Sequence, residues 1–171
     1  LKELGDIGAQ VHQCTWLTQA SSLRPAPKAG QGKIAKGEEE VMLNVNEMAE
    51  GYSYFAVGGR SVSTNNNLLA FSVDTVSRRE YTLQFKDLAT GEILDDRIPN
   101  ISGGATWAND NRTVFYTKKD PVTLRSYRIY KHVLGTDATA DELVYEEADE
   151  TFSCGVGKTK SEAYLMIGSY S

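Results

Sequence analysis

Short apolar runs alternate with polar turns along most of this chain, and the arrangement recurs at a spacing of roughly 45 to 50 residues. In each copy, an apolar run enters a turn rich in Asn, Asp, Lys or Ser, and a second apolar run leaves it. The copies are Ser61–Asp74, Ala105–Lys118 and Cys154–Ser169. Each copy predicts a β-hairpin, and the spacing is typical of β-propeller blades.

A second pair of strands follows the first two hairpins in the same order. Tyr81–Leu94 is matched by Tyr127–Asp137, and the pattern resumes at Glu142–Tyr145. Both copies alternate large apolar and polar residues, turn at a Gly, and leave through a short apolar strand. The repeating unit is therefore four strands. Because such a unit cannot bury its inner face alone, neighbouring units must cover it.

The fold class predicted from this pattern is mainly all-β: a partial β-propeller of about two and a half four-stranded blades. The blades lie near residues 52–97, 101–146 and 150–171, within a propeller domain of residues 39–171. The pattern stops after the inner hairpin of the third copy. We therefore expect a fragment of a longer protein, or a chain that other chains complete.

Residues 1–38 follow a different pattern, which predicts a short N-terminal helix and a linker. From Leu1 to Leu17, apolar residues recur at steps of three and four, which places them on one stripe of a helix. Residues 20–37 are rich in Ser, Pro and Gly, as loops are.

The propeller domain begins with shorter elements. The sequence predicts a strand at Val41–Leu43 and a strand at Tyr52–Val57 that leads to Gly58. Between them, residues 44–50 look like one helical turn, with Asn44 or Asn46 as its N-cap.

Composition narrows the classes of partner. The chain has 171 residues, a net charge of -5 and a pI near 5.1, so it lacks the basic face that binding nucleic acid requires. No apolar run approaches the roughly 20 residues that span a membrane, and the first residues lack the pattern of a secretory signal. Cys14 and Cys154 lie far apart, which favours a reducing compartment. We expect a bacterial cytoplasmic protein, with the periplasm as the alternative.

Several stretches of the propeller region resemble the oligopeptidase B branch of the prolyl oligopeptidase family of serine peptidases. They keep the order that the family has and together extend from Glu39 to Glu147. These stretches are Glu39–Gly51, Leu68–Leu83, Phe85–Glu92, Trp107–Tyr116, Leu134–Asp137 and Val144–Glu147. Residues 1–37 do not resemble the family's usual entry into the propeller.

The resemblance implies a function for the parent protein. In this family, the propeller covers a C-terminal α/β-hydrolase domain that holds the Ser, Asp and His of the active site. It also implies short basic peptides as substrates, cut after Arg or Lys. None of that domain is present here, so we expect this chain alone to be inactive and to gate access to the domain. The alternative is a stand-alone β-repeat binding or scaffold protein, completed by oligomerisation.

A direct search for catalytic residues agrees with this expectation. The segment Gly59–Ser63 lacks the second Gly of a Gly-x-Ser-x-Gly elbow and falls in a predicted strand. His12 and His132 are the candidate bases, and neither has a Ser or Cys motif beside it. We interpret both as surface or strand-packed histidines, and we predict no catalytic residue.

Cofactor and metal sites are not predicted either. The histidines and cysteines do not have the spacing of zinc ligands. Gly155–Thr159 resembles the end of a phosphate-binding loop, but Phe152 stands where that loop needs Gly.

Two charged groups have alternative interpretations. An acidic group near the end of the second repeat is either a solvated loop or a rim that attracts basic peptides: Asp141, Glu142, Glu146, Glu147, Asp149 and Glu150. Asp74, Arg78, Arg79 and Glu80 are candidates for ion pairs with another domain.

Aromatic residues recur at predicted strand positions, which indicates blade core rather than a binding platform. They are Tyr54, Phe55, Phe71, Tyr81, Phe85, Trp107, Phe115, Tyr116, Tyr127, Tyr130, Phe152 and Tyr164.

Overall fold

The computed structural model describes residues 15–17 and 39–171, which fall into two units divided after Glu50. In the first unit, strand β1 (Thr15–Leu17) pairs antiparallel with strand β2 (Glu39–Val41). The helix prediction is therefore wrong at residues 15–17, where Thr and Trp are residue types that favour strands. The other residues before Glu39, including most of the predicted helix and linker, lie outside the described residues.

The predicted helical turn is confirmed, whereas the two strands beside it are displaced. Helix α1 spans Val45–Met48, and Asn44 is its N-cap residue, although its side chain makes no capping hydrogen bond. Strand β2 ends at Val41, two residues before the predicted end. The strand expected from Tyr52 starts only at Ala56, because Ala56 already pairs with the last residue of the neighbouring strand.

The second unit consists of nine antiparallel strands in two sheets. Strands β3 to β9 form one seven-stranded sheet in chain order, and β10 pairs with β11. The strands are β3 Ala56–Val62, β4 Leu68–Asp74, β5 Tyr81–Asp87, β6 Ile93–Trp107, β7 Thr113–Lys119, β8 Ser126–Val133, β9 Glu142–Glu146, β10 Ser153–Lys158 and β11 Leu165–Tyr170. A 3-10 turn, Ala138–Ala140, precedes β9.

Strand β6 connects the first two four-stranded units. Its first part pairs with β5 up to Ile101, and its second part pairs with β7 up to Trp107. Asn100 and Gly103 have φ angles of 60° and 121°, and the pairing register shifts on both sides of Ile101. These irregularities turn the strand. Strand β6 therefore serves as the outer strand of the first blade and as the inner strand of the second blade.

The hydrophobic core lies within and between the first two blades. Its buried residues are Ala70, Leu83, Phe85, Ile98, Ile101, Trp107, Val114 and Tyr116. The rings of Phe85 and Trp107 pack edge to face with centroids 5.8 Å apart. Most of the predicted core aromatics are buried or half-buried, but Tyr54 and Tyr164 are exposed. The prediction fails for them because Tyr54 precedes β3 and Tyr164 lies in the turn before β11.

The inner strands of the first two blades, β3 and the second part of β6, approach each other closely at glycine residues, which have no side chain. A Cβ atom on Gly59 would lie 2.2 Å from the carbonyl oxygen of Gly103. Ser72 Oγ donates to that same carbonyl at 2.7 Å, and Trp107 Nε1 donates to the carbonyl of Ser61 at 3.0 Å. These contacts, together with those of His132 described below, form the seam between the first two blades.

Candidate functional site

The blades have two ends with different connections. Antiparallel pairing places the hairpin turns 63–67, 108–112 and 159–164 at one end, here called the turn end. The connections 75–80, 120–125 and 147–152 lie at the other end, here called the loop end. Any surface for a substrate or for another domain has to be sought at one of these ends, or along the inner strands between them.

The turn end is joined across blades by polar groups. The backbone N–H of Asn65 donates to Asn111 Oδ1 at 2.8 Å, and Asn109 Nδ2 donates to the carbonyl of Glu162 at 2.9 Å. Within its own turn, the Asp110 carboxylate accepts from Thr113 and from two backbone N–H groups. Burial opposes ionisation of Asp110, but these hydrogen bonds outweigh it and keep its pKa below the usual value.

A cavity of about 410 Å³ opens between the inner strands near the turn end. It lies where the ends of β3, β6 and β10 meet, and Ser61, Thr106 and Lys158 are among its lining residues. Thr106 Oγ1 donates to the carbonyl of Val156 at 3.2 Å, which fixes β10 against β6. The volume of the cavity lies in the range of pockets that bind small ligands.

The loop end is held by one buried carboxylate. Asp74 is 1% exposed, and it accepts from the backbone N–H groups of Val76, Ser77 and Arg79 at 2.7 to 3.1 Å. Asp74 is therefore unavailable for an ion pair with another domain, and that part of the prediction is wrong. Arg78 remains exposed, 3.8 Å from a carboxylate oxygen of Glu80.

Two basic side chains connect the three loops of the loop end. Lys119 Nζ donates to the carbonyl of Arg79 at 3.0 Å. Burial, followed by the nearby positive charge of Arg79, lowers the pKa of Lys119. Arg125 donates to the carbonyls of Asp149 and Phe152 at 3.0 and 2.7 Å. This end exposes the aliphatic side chains of Val76, Val122 and Leu124, whereas the large apolar side chain exposed in the turn-end hairpin turns is Tyr164.

His132 lies at the centre of a buried polar network in the seam. Its Nδ1 is 2.7 Å from Asp141 Oδ1, and its Nε2 is 3.0 Å from Asp96 Oδ1. Tyr116 donates to the other Asp141 oxygen at 2.7 Å, and the backbone N–H of Gly135 donates to Asp96 at 2.7 Å. Each ring nitrogen of His132 therefore lies within hydrogen-bond distance of a carboxylate oxygen.

The network is structural rather than catalytic. The imidazole is fully buried, stacks on Phe85 at 6.0 Å and has both nitrogens occupied, so it cannot serve as a general base in this arrangement. Burial and the neighbouring Asp141 carboxylate raise the pKa of Tyr116. The prediction of a strand-packed His132 is confirmed, whereas its carboxylate partners were not foreseen. His12 lies outside the described residues.

The serines of the Gly59–Ser63 segment are occupied by other partners. The segment lies in strand β3 up to Val62, as predicted, and Ser63 begins the hairpin turn that follows. Ser61 Oγ donates to the carbonyl of Ala105 at 2.8 Å, and Ser63 Oγ donates to Asn65 Oδ1 at 2.7 Å. Neither bond has a base as its acceptor, so neither serine is activated as a nucleophile.

The other sequence motifs also have structural roles. Gly155–Thr159 belongs to the β10–β11 hairpin and does not open a helix. Cys154 is a buried free thiol, and burial raises its pKa. Among residues 39–171 and the short strand β1, no group of three or more His, Cys, Asp or Glu side chains could hold a metal ion. No helix in these ranges has the length and apolarity needed to cross a membrane.

The acidic group is divided between surface and interior. Glu142 and Glu146 extend from β9 and pair with Lys131 and Arg128 of β8. Asp141 is different because its side chain is only 2% exposed, bound to His132. The interpretation of the whole group as a solvated loop is therefore wrong for Asp141, which closes the seam.

Comparison with known proteins identifies this architecture. Residues 10–171 match the family model of the prolyl oligopeptidase N-terminal β-propeller domain. Dipeptidyl aminopeptidase BI of Pseudoxanthomonas mexicana is 46% identical over 129 residues, and Protease 2 of Moraxella lacunata is 35% identical over 145 residues. Those regions cover 75% and 84% of this chain but only 18% and 21% of the two relatives.

A solved structure agrees with the sequence comparisons. Oligopeptidase B from Leishmania major superimposes with a TM-score of 0.74 and 33% identity, over 78% of this chain and 19% of the larger one. The chain thus spans about a fifth of the length of the relatives that it matches. The predicted partial propeller and the resemblance are confirmed, and the chain belongs to the prolyl oligopeptidase family as part of its N-terminal β-propeller domain.

Proposed function

We propose that this chain is the propeller part of a serine oligopeptidase that cleaves short peptides after Arg or Lys. In this proposal the catalytic α/β-hydrolase domain belongs to the same protein, and the propeller limits access to it. The observation that carries the proposal is the family match over residues 10–171, together with the structural roles of His132, Ser61 and Ser63. The chemistry is therefore assigned to residues elsewhere in the protein.

The loop end is the surface that we assign to the catalytic domain. It exposes Val76, Val122 and Leu124 at 58%, 88% and 40%, with the Arg78 guanidinium beside them. Apolar side chains rimmed by charge are typical of a surface that another domain covers. The turn end differs, since its three hairpin turns consist mainly of polar residues, expose Tyr164 but no large aliphatic side chain, and are hydrogen-bonded across the blades.

Variants at the two ends test the gating role in the full-length protein. We expect Val122→Glu to weaken docking and to increase cleavage of a long unstructured polypeptide relative to a short Arg-containing peptide. Ala89→Glu is the matched control. Ala89 is exposed in the connection between β5 and β6, which lies at the turn end because Asp87 at the end of β5 pairs with Leu68 at the start of β4. Equal length dependence in the wild-type protein and both variants would remove the support for a gate at the loop end.

A second candidate activity comes from the relative with 46% identity, whose name is dipeptidyl aminopeptidase BI. A pair of reporter peptides separates the two activities in the full-length protein. An endopeptidase cleaves a reporter after Arg when its N-terminus is blocked, whereas a dipeptidyl aminopeptidase needs a free N-terminal dipeptide. Cleavage of the free dipeptide reporter alone would overturn the oligopeptidase proposal in favour of this activity.

A further inference from the structure

The cavity near the turn end contains one cation that the proposed function does not use. Lys158 is the last residue of β10, and its side chain is only 16% exposed. Its ammonium nitrogen lies 3.2 Å from Thr64 Oγ1 and 3.8 Å from Glu162 Oε2. All three residues line the cavity of about 410 Å³.

The hydrogen-bonding capacity of this ammonium group exceeds its protein partners. It has three N–H donors, and the Thr64 hydroxyl accepts one of them. The separation from Glu162 is longer than a hydrogen bond, so that carboxylate supplies attraction without occupying a donor. Among the described residues, Lys158 thus keeps donors for a ligand in the cavity.

Two hydroxyl groups of the wall, those of Ser61 and Thr106, present acceptors rather than donors. Ser61 and Thr106 donate their hydroxyl protons to backbone carbonyls, at 2.8 and 3.2 Å. Their remaining lone pairs can accept a hydrogen bond. A ligand that fits therefore combines one anionic group, for Lys158, with an N–H donor close to it.

We propose that this cavity binds the C-terminal carboxylate of a peptide. The carboxylate accepts from Lys158, and the last peptide N–H donates to a wall hydroxyl, here Ser61 or Thr106. A phosphate ion matches Ser61 and Thr106 less well, because it brings oxygen acceptors to hydroxyl groups whose protons are already donated to carbonyls. The inference rests on the proposed function, in that the peptides are substrates or products of the parent peptidase, and it assigns them a subsite on the propeller.

The test compares two forms of one peptide in the full-length protein. The peptides share their sequence and an internal Arg, and they end in a free carboxylate or in an amide. Charge-assisted hydrogen bonds contribute about 1.5 to 3 kcal/mol, so we expect the KM of the free acid to be at least about tenfold lower than that of the amide. Lys158→Gln should abolish this difference in KM between the two peptides.

Two further variants keep the result interpretable. Lys160→Gln is the matched control, because Lys160 is an exposed lysine on the same hairpin turn, and it should retain the preference. Glu162→Gln removes the carboxylate that competes for Lys158 and should enlarge the preference. Equal KM values for acid and amide in the wild-type protein, or a preference that survives Lys158→Gln, would overturn the inference.

Equilibrium binding separates this inference from the proposed function. Calorimetric titration of the full-length protein with the acid and amide forms of the same peptide, with its internal Arg replaced by Gln, gives the same comparison without turnover. If the Gln peptides bind with the expected preference but the Arg peptides are not cleaved, the proposed activity fails and the carboxylate site stands. If the Arg peptides are cleaved but the two Gln peptides bind equally well, the carboxylate site fails and the activity stands.

Discussion

The seam between the first two blades and the β10–β11 hairpin arise from the same sequence pattern but differ in burial. In the seam, Trp107 and His132 are 3% and 0% exposed, and glycine backbones touch. In the hairpin, every residue of β11 is exposed, with Ile167 at 41% and Met166 at 59%. An alternating apolar pattern therefore specifies a strand, whereas a neighbouring blade determines whether that strand is buried.

The difference also shows in the kind of interaction that holds each region. The seam contains a buried polar network, a glycine contact and side chains that donate to backbone across the blades. The hairpin is joined to β6 through Thr106 and the backbone of Val156. Substitutions in the two regions should therefore differ most where the seam has buried polar groups, and least where the hairpin has exposed apolar side chains.

The largest effect is expected for His132→Gln, which breaks the network inside the seam. The change leaves buried oxygens of Asp96 and Asp141 without the imidazole nitrogens that lie 3.0 and 2.7 Å from them. A buried polar group that loses its hydrogen-bond partner costs about 1 to 3 kcal/mol, and two carboxyl groups are affected, so urea denaturation of this chain should show a loss of about 2 to 6 kcal/mol in the free energy of unfolding.

The neighbouring residue provides the control for His132. Lys131→Gln removes an ion pair with Glu142 on the surface of the same strand, and a pair of that kind contributes at most about 1 kcal/mol. If the two variants unfold at the same urea concentration, the buried network is not what stabilises the seam.

A smaller loss is expected for Gly59→Ala, which tests the backbone contact. The new Cβ would meet the Gly103 carbonyl and the Gly104 Cα, at 2.2 and 2.7 Å, and backbone cannot move aside as a side chain can. Overpacking costs about 1 to 3 kcal/mol, and the free energy of unfolding should fall by about that amount.

Gly157→Ala is the matched control, because nothing lies within 4 Å of a Cβ placed there. It also lies on an inner strand, in the hairpin, and its change in stability should stay within about 0.5 kcal/mol. A comparable loss in both variants would mean that glycine is required by the strands themselves and not by the seam.

The sequence predicted the strands and hairpins well because alternation and turn residues act locally. The hairpin around Asn65 and the match between Tyr81–Leu94 and Tyr127–Asp137 needed only neighbouring positions. Burial was predicted less well. Tyr164 was expected in the core with Tyr116, but it lies in the turn before β11 and is exposed.

The polar interior of the seam could not be predicted from local pattern. His132 contacts carboxylates 9 and 36 positions away, and only the pairing of β8 within the sheet brings Asp96 and Asp141 to its two nitrogens. The acidic composition around Asp141 instead suggested solvent. Lys158 and Thr64, which lie 94 positions apart at the cavity, were missed for the same reason.

The smallest effect is expected for Ile167→Ala in the hairpin of this chain. Ile167 is 41% exposed, so its truncation leaves little cavity, and the free energy of unfolding should change by less than about 0.5 kcal/mol. Ile98, which is 0% exposed, provides the matched control, and Ile98→Ala should cost about 2 to 5 kcal/mol.

The same pair of substitutions in the full-length protein sharpens the comparison. If a further strand covers β11 there, as the proposed function implies, Ile167→Ala should become costly and approach the value for Ile98→Ala. Hydrogen exchange at the β11 backbone should slow in parallel, because the covered strand then opens only with its blade. An Ile167→Ala cost that remains below about 0.5 kcal/mol in the longer protein would show that the hairpin stays exposed, and the contrast with the seam would then be a permanent feature of the domain.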